Sequence, residues 1–307
     1  MALLWVPDGL AGERIDAAAA RMTGLTRSRV ADLIDEGKVS LDSQQVSKAS
    51  TKVAAGQLLD IDLSEPVREA KVRPQLADGL AILHEDADIV VIDKPAGVAS
   101  HPSLGWEGPD VVSHLAAAGV GIATSGAAER QGIVQRLDVG TSGLMVVAKS
   151  EHAYTMLKRA FRDRTVDKIY LALAQGHPDP FTGTIDAPIG RHPGSEWKFA
   201  VTSDGRTSVT HYETIEVLRQ AALLRVHLET GRTHQIRVHL AAIGHPCVGD
   251  PLYGADPVQA QQLGLERQWL HAAHLGFEHP GSGEYVEFES ALADDLANAL
   301  QILRNQS

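Results

Sequence analysis

Two short stretches near the N-terminus, Lys38–Asp42 and Leu58–Leu63, alternate apolar and polar side chains with period two, which predicts strands with one buried face. Ahead of them, Arg14–Met22 reads as a helix by composition. Thr26–Ile34 reads as a second, with Thr26 as its N-cap and Gly37 as its stop. Residues 1–65 therefore form a small α/β module. The polar, proline-bracketed stretch Glu65–Gln75 reads as part of a linker spanning 66–79, and a large domain follows over 80–307.

In the large domain the apolar runs lengthen. Ile82–Asp88 and Ile89–Asp93 predict a strand pair across an acidic turn, and Leu144–Lys149 predicts a strand buried on both faces. Gly132–Val134 reads as the end of another strand. Ser150 caps a predicted helix over Glu151–Arg162, with Tyr154, Leu157 and Phe161 on one face and basic residues on the other. In the strand Lys168–Ala174, Ile169, Leu171 and Leu173 share one side, which leaves Tyr170 beside two alanines. Thr233 is the expected N-cap of a last helix whose buried stripe is Ile236, Leu240 and Ile243 and whose stop is Gly244.

Composition narrows the function classes. With 307 residues, 44% of them hydrophobic, the chain can build a sizeable core. Its one cysteine, Cys247, excludes an intrachain disulfide and a cysteine-rich zinc site and agrees with a reducing compartment. The apolar runs are shorter than a membrane span and the first residues lack a signal-like pattern, so a cytoplasmic protein with no membrane partner is expected. None of the 14 histidines falls in an H-E-x-x-H arrangement, and no metal is expected. The net charge of −11 opposes a simple nucleic-acid reading, but its distribution does not. Between Arg130 and Tyr170 eight basic residues face four acidic ones, while acidic residues crowd Glu278–Asp295.

The chemistry concentrates in Gln135-Arg136-Leu137-Asp138-Val139-Gly140-Thr141-Ser142-Gly143-Leu144, which sets one carboxylate, Asp138, in a turn between apolar runs. Glycines at 140 and 143 allow a tight turn and close approach to a ligand. No phosphate-binding loop or G-x-G-x-x-G element is present, so no nucleotide or nicotinamide cofactor is expected. This segment resembles the H-R-L-D-x-x-T-S/T-G-L loop of the RluA-type pseudouridine synthases, with Gln135 standing where that family has His. Four further stretches match the same family in order: Asp93–Pro102, Lys168–Ala172, Gly231–His239 and Gly249–Gly254. The last reads as a structural turn. The N-terminal module resembles the S-four-type RNA-binding domain through Arg14, Asp16, Ser28-Arg29, Ile34, Gly37, Val39 and Gly56.

The resemblance implies an α+β catalytic domain with a mixed, mainly antiparallel sheet and a central cleft, preceded by the small RNA-binding domain. It implies isomerisation of uridine to pseudouridine, with Asp138 as the indispensable carboxylate, Tyr170 as the ring stacked on the uracil and Arg237 as the partner of Asp138. Arg136 is expected to fill the space of the flipped base or grip the neighbouring backbone. Arg232 is the competing choice to Arg237, better placed for phosphate at the helix start, and Arg27, Arg29 and Lys38 are expected on RNA. No cofactor is implied, and nothing in a single-site design requires a second copy, so a monomer is expected. The overall likeness is to the RluD-type synthases of large-subunit ribosomal RNA; transfer RNA as substrate, or a non-catalytic role in RNA binding or ribosome assembly, are the alternatives.

Overall fold

The structure is a computed structural model and describes residues 2–63, 72–103, 105–126, 130–195 and 198–306. By internal contacts the chain divides into Met1–Glu69 and Ala70–Ser307.

The first unit contains β1 (Ala2–Trp5), α1 (Ile15–Thr23), α2 (Arg27–Asp35), β2 (Val39–Leu41), β3 (Gln44–Gln45) and β4 (Leu58–Ile61). The strands form an antiparallel sheet in the order β1-β4-β2-β3. The two period-two stretches are β2 and β4, with Val39, Leu41, Leu59 and Ile61 buried against Ile15, Ala18, Val30 and Ile34 of the helices. Thr26 caps α2 by accepting the Arg29 N–H at 3.2 Å, and Gly37 follows the helix with φ +73°. Strands β1 and β3 carry no predictive pattern, because Trp5 is exposed and β3 is two glutamines; pairing with neighbours makes them strands.

The first part of the expected linker, 66–71, lies outside the described residues. Its later part packs on the second unit: Gln75 donates its N–H to Ser113 O, and the buried Ala77 donates its N–H to His114 Nδ1 at 2.9 Å.

The second unit is built on nine strands: β5 (Ala81–Glu85), β6 (Ile89–Lys94), β7 (Ser142–Ala148), β8 (Asp167–Gln175), β9 (Thr182–Asp186), β12 (Val209–Val217), β13 (Ala221–Leu228), β14 (Leu270–Glu278) and β15 (Tyr285–Glu289). Their order is β5-β6-β7-β14-β8-β13-β12-β9, with β15 on β14; β10 (Ile189–Arg191) and β11 (Phe199–Val201) pair separately. Only the β7–β14 contact is parallel, so the sheet is mixed and mainly antiparallel. All seven residues of β7 are buried, as its unbroken apolar run requires. Gly132–Val134 is not a strand. β6 occupies one edge of β7 along most of its length, and on the other edge Ile133 makes a single bridge with Val147.

Alternation sorts the side chains onto two faces. Val90, Ile92, Met145, Val147, Tyr170 and Ala172 pack with α3 (Val111–Ala117) and α5 (Gln235–Ala242). On the other face, Ile89, Val91, Leu144 and Val146 pack with α4 (Glu151–Asp163), and Leu173, Leu223 and Trp269 with α6 (Pro257–Gln262), through Ala260, and α7 (Asp294–Arg304). Ser150 caps α4 by accepting the Ala153 N–H at 3.0 Å.

The sheet forks at one point. β14 pairs with β7 only through His271↔Ser142 and Ala272↔Gly143, after which β15 takes over that edge from His274 onward. Gly143 has φ +110°, and a Cβ there would lie 2.2 Å from Ala272 O. Its glycine identity serves this backbone contact between strands, where the sequence suggested an approach to a ligand. Among the described residues no helix is long and apolar enough to cross a membrane.

Candidate active site

The row of residues across the fork reads Gly143, Ala272, Tyr170, Val226. Small neighbours leave Tyr170 at the wall of a cavity of about 870 Å³, which is also lined by Arg136, Asp138, Lys158, Lys168, Arg232 and His234. Asp138 precedes β7 on a loop held from two sides. Ser100 donates its hydroxyl to Leu137 O at 2.8 Å and accepts the Leu137 N–H at 2.9 Å. The Val139 carbonyl accepts the Gly97 N–H at 2.9 Å and faces the Lys94 ammonium at 3.4 Å. From the other side Arg267 donates to Gly140 O, and Gln268 to the Thr141 hydroxyl. The Asp93–Pro102 motif, readable in sequence as a turn after a buried strand, thus clamps the loop that carries Asp138.

Lys94 is fully buried and also donates to Pro95 O and Val98 O at 2.9 and 2.8 Å. Burial draws its pKa down to about 7, and the negative charge of Asp138 acts in the opposite direction.

Behind Asp138 lies Arg237, buried on α5 and outside the cavity lining. Its Nη1 reaches Asp138 Oδ2 at 3.3 Å, while Nε and Nη2 grip the two carboxylate oxygens of Asp250 at 2.7 and 2.9 Å. The expected Arg237–Asp138 contact is present but is the longest of the three. Burial opposes the Arg237 charge; the hydrogen bonds to Asp250 and the charges of Asp250 and Asp138 outweigh it and raise its pKa. Burial, and after it the charge of Asp138, also raises the Tyr170 pKa above the usual phenol value, so the ring stays neutral.

Helix α5 starts later than predicted. His234, not Thr233, is its N-cap, in the left-handed region at φ +57° and without a side-chain cap bond; Ile243 is exposed rather than part of the buried stripe. The Gln235 carboxamide does the fixing instead, accepting from Arg232 N–H and the Thr230 hydroxyl and donating to Val209 O and the Thr210 hydroxyl. The turn brings His234 Nε2 to 3.9 Å from Asp138 Oδ1, and Nδ1 to 2.7 Å from the Tyr253 hydroxyl. Burial lowers the His234 pKa, partly offset by Asp138.

Sequence reading missed Asp250, Tyr253, His234 and Lys168. Asp250 and Tyr253 belong to the motif read as a structural turn, and a carboxylate flanked by Gly249 and Pro251 was the available signal. Arg136 is exposed at the cavity, and Arg232 donates to Thr207 O. Gln135 also lines the cavity, and its Nε2 is buried without a hydrogen-bond partner. In the first unit, Arg27 pairs with Asp16 at 2.9 Å, and Arg29 and Lys38 both pair with Glu36, at 3.1 and 2.7 Å.

His84, Asp86 and His279 also converge, with ligand-capable atoms within 4.8 Å of one another. His279 Nδ1 accepts the N–H groups of Gly281 and Ser282, which fixes its proton on Nε2, facing Asp86 at 2.9 Å. This is the tautomer of a hydrogen-bonded clasp between two hairpin turns, not of a metal ligand.

A family model described as RNA pseudouridylate synthase matches residues 88–242, which include Asp138, Tyr170 and Arg237. An uncharacterised RNA pseudouridine synthase of Mycobacterium bovis is 59% identical over 301 residues, covering 98% of this chain and 97% of that one. The ribosomal large subunit pseudouridine synthase D of Nitrosomonas europaea is 42% identical over 308 residues, covering 98% and 88%. Among solved structures, human RNA pseudouridylate synthase domain containing 1 superposes with a TM-score of 0.57 at 28% identity, over 76% of this chain and 97% of that one. A carboxylate on a basic cavity beside a neutral tyrosine, with matches over nearly the whole chain, leads to one conclusion: the chain belongs to the RNA pseudouridylate synthase family.

Proposed function

We propose that this synthase isomerises uridines of large-subunit ribosomal RNA to pseudouridine in the cavity lined by Asp138 and Tyr170. The observation that carries the reading is the carboxylate of Asp138 at the cavity wall, backed by the buried Arg237–Asp250 pair. The reaction breaks the bond between ribose C1′ and uracil N1, turns the base and joins C1′ to C5. The C5 proton leaves and N1 gains one, so atoms balance without an external reactant. The Asp138 carboxylate serves either as nucleophile at C1′ or as base on the ribose. Tyr170, neutral and rigid on β8, offers its ring as a platform for the uracil. Flipping the uridine out of its stack costs a few kcal/mol, and in this reading Arg136, which lines the cavity, fills the vacated space.

The large-subunit substrate is supported by relatives named ribosomal large subunit pseudouridine synthase D, at 38–42% identity. The first unit acts as the S-four-type RNA-binding domain in this reading; Arg27, Arg29 and Lys38 would exchange their carboxylate partners for phosphate. Mapping pseudouridine by carbodiimide-blocked primer extension in cells lacking the gene tests the proposal. Loss of specific stops in large-subunit RNA is expected. Loss confined to transfer RNA would move the substrate, and an unchanged map would replace the enzymatic reading with RNA binding alone.

A further inference from the structure

Lys168 sits on β8 two residues before Tyr170, on the same face of the strand and in the wall of the same cavity. It is 7% exposed. Its ammonium makes no hydrogen bond or ion pair with any described residue; its close contact is the face of Phe161, 5.8 Å from the ring centroid. The adjacent carboxylate, Asp167, lies on the other side of the strand and pairs with His227 and His274. The Asp167 charge therefore acts on Lys168 through space alone, and a buried ammonium with no hydrogen-bonding partner is costly, so folded proteins seldom keep one unless something outside the chain completes it.

The surroundings select the chemistry of that partner. Lys158, Arg159 and Arg162 of α4 line the cavity with Lys168, and Arg232 lines it from the start of α5. A site of this charge suits an anion. A backbone phosphate is the anion that any RNA substrate brings, and a lysine recognises it as a point charge. We propose that Lys168 binds an RNA phosphate beside the flipped uridine, anchoring the strand one step along β8 from the Tyr170 platform. The inference rests on reading this cavity as the uridine site. Burial also lowers the Lys168 pKa, and the charge of Asp167 offsets this only in part.

The test compares wild type with Lys168→Met on a large-subunit ribosomal RNA transcript carrying tritium at uracil C5, with filter binding of the same RNA across salt concentrations. Removing an unpaired buried charge should raise the melting temperature of the free protein while KM rises by about tenfold. The slope of log affinity against log salt should flatten by about one, the signature of one lost phosphate contact. A purely structural lysine would lower the melting temperature, or prevent folding, when replaced; either result overturns the proposal. So does a variant with unchanged KM and salt slope. A fall in kcat at unchanged slope would place Lys168 on the base instead and overturn the phosphate assignment. If wild type releases no tritium from this RNA, the functional reading fails, while the binding slope still reports on Lys168.

Discussion

The site is organised around one shared cation. Arg237 spends its fork on Asp250 and reaches Asp138 with the remaining nitrogen, so Asp250 sets the position from which Asp138 is held. Replacing Asp250 by Ala leaves a buried guanidinium with a single weak partner, a change expected to cost about 3–5 kcal/mol. Thermal unfolding reads this directly, and a melting temperature within a degree of wild type would contradict it. Asp138, Tyr170 and Arg237 were legible in the sequence because they sit in long motifs. Asp250 and His234 were not legible as site residues, since no periodicity reports that a turn at 250 lies against a helix at 237. Lys168 was read only as part of a pattern; its isolation appears once burial and neighbours are known.

Elements bear out the hydrophobic pattern where burial alone decides. β6, β7 and β8 follow their apolar runs, and the side of β8 that carries Tyr170 follows from alternation. The pattern failed where other forces act. Thr233 looks like an N-cap, but the Gln235 carboxamide network starts α5 later and pushes His234 into the left-handed region. Gly143 was assigned to a turn, yet it lies inside β7, where the sheet passes from β7 to β14 through a two-residue parallel contact. Gly143→Ala places a methyl group on Ala272 backbone at a positive φ and should separate the two strands. We expect a loss of several kcal/mol, of the order of a severe core disruption. Near-native soluble yield and unchanged denaturant midpoint would show the join is not needed.

At the scale of the whole chain, a net charge of −11 coexists with a basic cavity because sign is segregated: cations gather on α4 and around β8, anions toward β15 and α7. The first unit has its own charge pivot. Asp16, nearly buried on α1, is bonded by Arg14 and Arg27, and chiefly the Arg14 hydrogen bonds hold its pKa down to about 2, against the usual 3.8. A depressed carboxyl pKa stabilises the fold above the unfolded value and ceases to do so as pH falls from 3.8 through about 2. The protection factors of the α1 amides, corrected for the intrinsic pH dependence of exchange, should therefore fall across that range in wild type and lose this step in Asp16→Asn. Because Arg14 and Arg27 are exposed, the effect is small. The central claim, that the Asp138 carboxylate performs the isomerisation, is tested by tritium release from C5-labelled ribosomal RNA with purified wild type and Asp138→Asn. Wild type is expected to release tritium at its target uridines while Asp138→Asn binds the RNA and releases none; turnover by Asp138→Asn at a rate near wild type would contradict the account.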